Sequence, residues 1–392
     1  MLHGNSQLLV DTLESLELFE NRYSNLQLVN VPISGPKRGF FSLIFRAKDE
    51  LTGNEVALKF FDLDPNKADV YRIKSFEREH EILTRLIGAP RCLQVLSNFN
   101  TYNLQAAVSG GIVITLPASY FAVDWLDDDI DEYFQSQGTK PAIEKLKIFN
   151  EVVLAVESLH SRGVFHRDLK ADNFRAQQRI DGREVVAIDL GTAARYDSAP
   201  ISSSYGGPVG MLMYSAPEAF CGLSGARTVA PLSDVFALGC MLFELFHHDD
   251  FPAAFRRVNS DFDVRFAALR WKVGSEVSVE AKLNSWSREA PKLLHGLSPV
   301  TLSGAGSSAP LCIADILTSL VGRMTVPDFQ QRTISFRRIR EVSWNAIRII
   351  ENQQLAKRKA KQAADRRAAR AAKAAARAQR VIGLRNLDSA RV

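Results

Sequence analysis

Apolar and polar positions along this chain change their period partway, from the step of strands to that of helices. Before Leu126, LQLVNVPIS and FSLIFRAKD read as strands, and TGNEVALKFFD as a turn entering a third. VYRIKSFEREHEILTRLIG has apolar residues at helical spacing and stops at Gly88. Two more strand-like runs follow, RCLQVLSNF and the apolar stretch from GIVIT to YFAVDWL. From KPAIEKLKIFNEVVLAVESLHSRG onward the pattern is mainly helical, with loops between. SPVTLSGAGSSAP, 298–310, has the composition of a mobile insertion. At the start, MLHGNSQLLVDTLESLELFE sets Asp11, Glu14, Glu17 and Glu20 among leucines, as in an acidic amphipathic helix. The pattern predicts an α+β fold of two lobes with a cleft between them. The sheet-rich N-lobe with one helix covers 25–126 and the mainly helical C-lobe 127–348. Residues 1–24 are an acidic extension and 349–392 a basic tail.

Composition narrows the class. Of 392 residues, 46% are hydrophobic and 24% charged, as in a soluble globular protein. No apolar run reaches the ~18 residues of a membrane-spanning helix, and the N-terminus lacks the basic start of a secretion signal. Cys92, Cys221, Cys240 and Cys312 are scattered, which argues against a zinc site or a disulfide framework. A soluble protein of the cytoplasm, with no membrane partner, is the expectation.

The net charge of +5 is unevenly spread. Residues 351–392 hold 12 Lys+Arg against 3 Asp+Glu, and the other 350 residues 37 against 41. In KAKQAADRRAARAAKAAARAQR, Arg366, Arg370, Lys373, Arg377 and Arg380 step by 4, 3, 4 and 3, which puts them on one helical face. Alanine, the best helix former, covers most of the rest. Three readings fit: a partner with negative charge (nucleic acid or an acidic protein), a bare exposed extension, or docking onto the chain's own acidic N-terminal helix. No bulky apolar face opposes the charge, which argues against membrane insertion.

Candidate chemistry concentrates in VFHRDLKADNF, Val164–Phe174. Other charged elements stand in a fixed order around it. Lys59 lies in VALK on the third strand, and Glu79 in EREHEIL on the helix after it. Asp189, Leu190 and Gly191 follow the strand-like EVVAI, and Ala216, Pro217 and Glu218 close the next loop. Asp234 in SDVFALG and Arg332 in DFQQRT complete the set. HRDLKADN resembles the catalytic loop of eukaryotic-type (Hanks-type) serine/threonine protein kinases, and the other elements follow in that family's order over roughly residues 25–345.

The resemblance implies a bilobal kinase fold and phosphoryl transfer from ATP with Mg2+ or Mn2+ to protein substrates. Lys59 would hold the α- and β-phosphates, and Glu79 would hold Lys59. Asp189 would bind the metal, with Asn173 holding a second ion or sharing the first. Asp168 would accept the substrate's hydroxyl proton, and Lys170 would neutralise the transferring group. KRGFFSLIF aligns with the glycine-rich loop, keeping the middle glycine as Gly39; Lys37 takes the first place, Ser42 the third, and Ile44 lies over adenine. Ala57 would line the same pocket, with Val123 as a small gatekeeper. The backbone at Asp124 and Leu126 would meet adenine, and Asp129 would reach the ribose or simply begin a solvated helix.

Three departures stand out. Leu190 replaces an aromatic residue, Arg175 sits where an apolar residue underlies adenine, and Met211 replaces a threonine beside Asp168. In GTAARYDSAPISSSYGGPVG, a phosphate on Ser202, Ser203 or Ser204 could be received by Arg167 and Arg195, or the loop could simply be flexible. FHHDDF, 246–251, reads as a solvated turn rather than a metal site. Two alternatives to an active protein kinase stay open: a pseudokinase scaffold, and a small-molecule kinase of similar shape.

Overall fold

Five antiparallel strands form the first layer of the structure, a computed structural model describing residues 2–31, 42–66, 69–108, 112–126, 128–135, 139–179, 182–197 and 209–389. β1 (Tyr23–Leu28), β2 (Ser42–Asp49), β3 (Glu55–Phe61), β4 (Asn100–Val108) and β5 (Ile112–Asp124) lie in the order β1-β2-β3-β5-β4. Register sets Ile44 opposite Lys59, and Ala57 opposite Val123. On one face packs α1 (Gly4–Ser15), with Leu9 and Leu13 buried among Phe45, Phe60 and Tyr120. Each such leucine is worth about 1.5–3 kcal/mol. Ser6 Oγ donates to Asp62 at 2.6 Å, while Asp11 and Glu14 stay exposed. The acidic segment is thus seated on the sheet by its leucines. α2 (Val70–Arg85) buries Phe76, Ile82 and Leu83, and its N-cap Asp69 accepts the Arg72 N–H.

One strand expectation fails. RCLQVLSNF forms isolated bridges, Cys92 to Ala187 and Val95 to Val123, and the strand falls at β4 instead. The Gln94 side chain explains this. Its amide donates to the carbonyls of Ala89 and Cys92 and accepts the Gly88 N–H, so it holds a compact turn where a strand would extend.

The large lobe is mainly helical: α3 (Asp131–Gln135), α4 (Ala142–Ser161), α5 (Ala230–Glu244), α6 (Phe251–Val258), α7 (Phe262–Gly274), α8 (Val279–Leu293), α9 (Leu311–Met324) and α10 (Phe336–Ser389). α5 runs through its centre with Leu238, Cys240, Met241, Leu242 and Phe243 fully buried. Short strands face the cleft: β6 (Asp128–Asp129) pairs β8 (Phe174–Arg179), β8 pairs β9 (Gly182–Ala187), and β7 (Val164–Phe165) pairs β10 (Ala194–Arg195). The two-lobed α+β architecture is the one the hydrophobic pattern predicts.

The segment 298–310 is pinned, contrary to its composition. Val300 and Leu302 are buried, Leu302 N–H donates to Thr318, and Ser308 N–H donates to Phe246 O at 2.6 Å. His248 N–H and ring reach Gly306 O, and a Cβ on Gly306 would lie 2.2 Å from that ring. FHHDDF is used in this packing and in the Asp250 cap of α6. Among the described residues no group of three or more His, Cys, Asp or Glu side chains is placed to hold a metal.

Candidate active site

The cleft is built from both lobes. β3 presents Lys59, and α2 presents Glu79, whose carboxylate takes the Lys59 ammonium at 2.6 and 2.7 Å. Lys59 also lies 3.5 Å from Asp189 Oδ1, across the cleft. Burial works against the Lys59 charge, but Glu79 and Asp189 outweigh it and raise its pKa above the usual lysine value. The α2 end of this contact is tied to the Asp189 segment by the Ser75 hydroxyl, which donates to Gly191 O. Ser42, Lys59, Glu79, Asp189 and Gly191 line one small cavity.

Asp234 organises the floor. Its buried carboxylate accepts the N–H groups of His166 and Arg167, each at 2.8 Å, and meets His160 Nε2 at 2.7 Å. Burial opposes its charge, and these donors hold it below the usual carboxylate range. Arg167 has φ +67° and Asp189 φ +61°, left-handed values that a non-glycine residue keeps only when its surroundings impose them. Asp234 imposes the first. For the second, Ile188 is gripped on both sides: its N–H donates to Asn173 O and its carbonyl accepts His166 Nε2–H, both at 2.9 Å.

The two cleft carboxylates diverge in basicity. Burial raises the pKa of Asp168, and Lys170 and His166 only partly offset it. Asp189 is lowered: burial opposes its charge, and Lys59, His166 and Lys170 together prevail. Such a split suits one carboxylate to take a proton and the other to stay anionic. Asp168 Oδ1 accepts the Met211 N–H at 2.7 Å, and the Asn173 amide donates to Asp168 O at 2.7 Å and Oδ2 at 3.2 Å. Lys170 Nζ lies 4.0 Å from Asp168 Oδ2. With its amide nitrogen committed to Asp168, Asn173 offers an oxygen. That oxygen and the Asp189 carboxylate are the hard donors a divalent cation takes.

A family model described as protein kinase domain matches residues 38–344. The chain belongs to the protein kinase family. Kinase domains of this family use ATP with a divalent cation and act on protein hydroxyls. The chain is 30% identical to a probable serine/threonine-protein kinase of Arabidopsis thaliana over 53% of its own length and 33% of the relative's. It is 26% identical to probable serine/threonine-protein kinase 2 of Plasmodium falciparum, over 57% and 38%. To dual specificity testis-specific protein kinase 2 of Rattus norvegicus it is 22% identical, over 60% and 37%. The matches thus span about a third of these curated relatives.

Against the kinase pattern, the structure brings together Lys59, Glu79, Asp168, Lys170, Asn173 and Asp189. Ser42 and Ile44 follow on β2, with Ala57 on β3. Asp124 ends β5, where its N–H donates to Gln94 O at 3.0 Å, and Leu126 is buried just beyond. Asp129 is engaged by Arg175, whose guanidinium lies 3.2 Å from it and donates to Phe174 O at 3.0 Å. Arg175 therefore turns toward β6 and neutralises the carboxylate expected at the ribose. Met211 contributes its backbone amide to Asp168, in place of the hydroxyl a threonine would bring. Gly39, Lys37 and Ser202–Ser204 lie outside the described residues. Arg195 is already paired with Asp197 at 2.7 Å.

Gly210 is a site residue that sequence reasoning passed over. Its φ is +83°, and a Cβ there would fall 2.6 Å from Asp168 Oδ1. Its place directly before Met211 was the available signal. Beyond Met211, Leu212, Ser215 and Pro217 open onto an apolar groove of about 750 Å³. Along its wall Phe262 stacks on Phe266 and meets Phe255 edge-on, and Trp271, 79% exposed, also lines it.

Proposed function

We propose that the chain is an active serine/threonine protein kinase that transfers the γ-phosphoryl group of ATP, with Mg2+ or Mn2+, to protein hydroxyls. The observation that carries this reading is the closed contact Glu79–Lys59–Asp189, which joins the two lobes with every charge in place. When bound, the cation would neutralise phosphate charge, and Asp189 and Asn173 are the residues to hold it. Lys59 would bind phosphate oxygens while Glu79 fixes its position. Asp168, fixed by Met211 and Asn173, would orient the acceptor hydroxyl and take its proton, and Lys170 would offset charge beside it. Ile44, Ala57, Asp124 and Leu126 would frame adenine, with Gly39 and Ser42 near the phosphates.

Protein acceptors are favoured over small molecules by the apolar groove that starts at Leu212, room suited to a polypeptide. The scaffold alternative draws on Arg175 and Met211. Yet Arg175 pairs with Asp129 and Met211 still supports Asp168, so neither departure takes a charge from Lys59, Glu79, Asp168 or Asp189. Autophosphorylation in the Ser202–Ser204 segment, with Arg167 and Arg195 as receivers, is part of the proposal. So is a cytoplasmic location; among the described residues no helix is long and apolar enough to cross a membrane. The basic tail would meet an anionic partner, an acidic protein or a nucleic acid.

Incubating the chain with labelled ATP and Mg2+ tests the reading. Label should enter protein with the parent chain. It should fall about 10²–10⁴-fold with Asp168→Asn and vanish with Asp189→Asn. A parent chain that binds nucleotide yet labels neither itself nor a generic protein acceptor would overturn catalysis in favour of a scaffold.

A further inference from the structure

α10 has two halves of different character. Up to Ile350 it is part of the large lobe, with Ile339, Ala346, Ile347 and Ile350 buried and Arg340 paired to Glu157 on α4 at 2.9 Å. From Glu351 to Arg377 every residue is exposed, and the helix runs on to Ser389. At 1.5 Å per residue the exposed stretch is a rod about 40 Å long. It carries nine Lys+Arg against Glu351 and Asp365.

Geometry sorts these cations. At 100° per residue, Lys359, Arg366, Arg370, Lys373 and Arg377 fall within about 60° of arc, and Ala364, Ala368, Ala372 and Ala375 lie opposite. The stripe is about 27 Å long. α1 does not cover it: α1 lies on the small-lobe sheet, its Glu14 accepts the Leu28 N–H, and the stripe stays exposed.

We propose that this stripe is a nucleic-acid binding site that engages the phosphates of a duplex. From Ala360 to Arg377 the rod has no leucine, isoleucine, valine, methionine or aromatic residue. A protein partner would find nothing to bury, and protein interfaces are built around an apolar, aromatic core. A coiled coil is excluded for the same reason, since it lacks an apolar seam. A phosphate backbone asks only for cations at intervals. Duplex DNA carries one charge per about 1.7 Å, so the stripe would face about 16 of them. A helix sheathed in alanine is also slim enough for a major groove about 12 Å wide. The proposal is independent of phosphoryl transfer; an Asp168→Asn chain should bind as the parent does.

The test is fluorescence anisotropy of the full chain with labelled duplexes of about 24 base pairs, DNA in one arm and RNA in the other. With five phosphate contacts, affinity should fall with a log–log salt slope of about −4.5, roughly 500-fold between 50 and 200 mM salt. Substituting Gln at Lys359, Arg366, Arg370, Lys373 and Arg377 should cost more than about 100-fold at 50 mM salt and flatten the slope by about 4.5. Substituting Gln at Arg358, Lys361 and Arg367, off the stripe, should cost less than about tenfold. Binding in either arm supports the proposal, and the stronger arm names the source. Three results would overturn it: neither duplex bound at about 50 µM protein and 50 mM salt, the five-site variant binding as tightly as the parent, or poly-glutamate competing equally at matched charge.

Discussion

Arg332 and the arginines of the tail are one side chain in opposite settings. Arg332 is fully buried, and its guanidinium meets both oxygens of Glu218 at 2.7 and 2.8 Å. It also donates to the carbonyls of Val326, Leu232 and Pro327, over the ring of Phe236. Arg366, Arg370 and Arg377 stand in water. Taking a charge out of water costs several kcal/mol, so a buried cation persists only where the fold satisfies each donor. A cation in water meets no such demand and stays available to a partner. Net charge therefore says little about either role; the surroundings of each group decide it.

Arg332→Ala removes the cation from this buried pair. Glu218 would be left buried, with Ser233 still donating to it but its charge uncompensated. Stability should fall by about 3–5 kcal/mol in urea unfolding. Arg332→Lys should recover only part, because an ammonium cannot replace the two-pronged contact. A loss below about 1 kcal/mol would mean that water reaches the pair.

Glu244 is a largely buried carboxyl with no cation paired to it among the described residues. It sits on α5 beneath the segment after Met211, accepting from the Tyr214 hydroxyl. Burial lifts its pKa to about 7, with the Tyr214 and Phe251 donors pulling the other way. A carboxyl raised on folding binds more protons in the native state. Its contribution is therefore fully present below the unfolded pKa of 4.5 and is lost as pH rises toward about 7. Over that window the parent should lose up to about 3 kcal/mol. Glu244→Gln keeps an acceptor for Tyr214 and removes the titration. Its unfolding midpoint should exceed the parent's at pH 8 and approach it at pH 5.

Between these extremes lies Asp168, desolvated but beside Lys170 and proposed as the base. Gly210→Ala would push a methyl against Oδ1 and strain a backbone at φ +83°. kcat/KM should drop about 100-fold, the scale of losing a well-placed base, while urea unfolding changes much less. In the parent, the acid limb of kcat/KM should lie above the ordinary carboxylate range, because burial raises Asp168. Activity would be lost as pH falls through that value. A limb at the usual aspartate value would show Asp168 to be well solvated.

What the sequence disclosed follows the same division. Lys59, Glu79, Asp168, Asn173 and Asp189 were legible because phosphoryl transfer restricts both their types and their order. The two lobes were legible because a half-buried sheet and a packed helix impose different periods. Gly210 was not, since its need for φ above zero and its closeness to Asp168 arise from contacts made across the chain. RCLQVLSNF misled because strand propensity was overridden by one glutamine side chain bonded to the backbone of Leu86, Gly88, Ala89 and Cys92. The 298–310 segment misled because its tethers are hydrogen bonds to residues far away in sequence. Arg175 faces Asp129 through a strand pairing that no local pattern announces.

The exposed cations of the tail present the opposite case. The stripe residues Lys359, Arg366, Arg370, Lys373 and Arg377 lie on an exposed helix, where glutamine has nearly the same helix propensity as lysine and arginine. Removing five like charges also relieves repulsion along the rod, such as that between Arg366 and Arg370 one turn apart. Gln at all five should therefore leave the urea unfolding of the domain within about 0.5 kcal/mol of the parent. Helix content by circular dichroism should be equal or slightly higher. Phosphoryl transfer to a generic acceptor should also be unchanged, because the stripe residues are exposed and none of them lines the cleft described above. A loss of 2 kcal/mol or more, on the scale of a deleted buried contact, would mean that the rod folds back onto the domain in solution. Its cations would then belong with Arg332 among the structural ones.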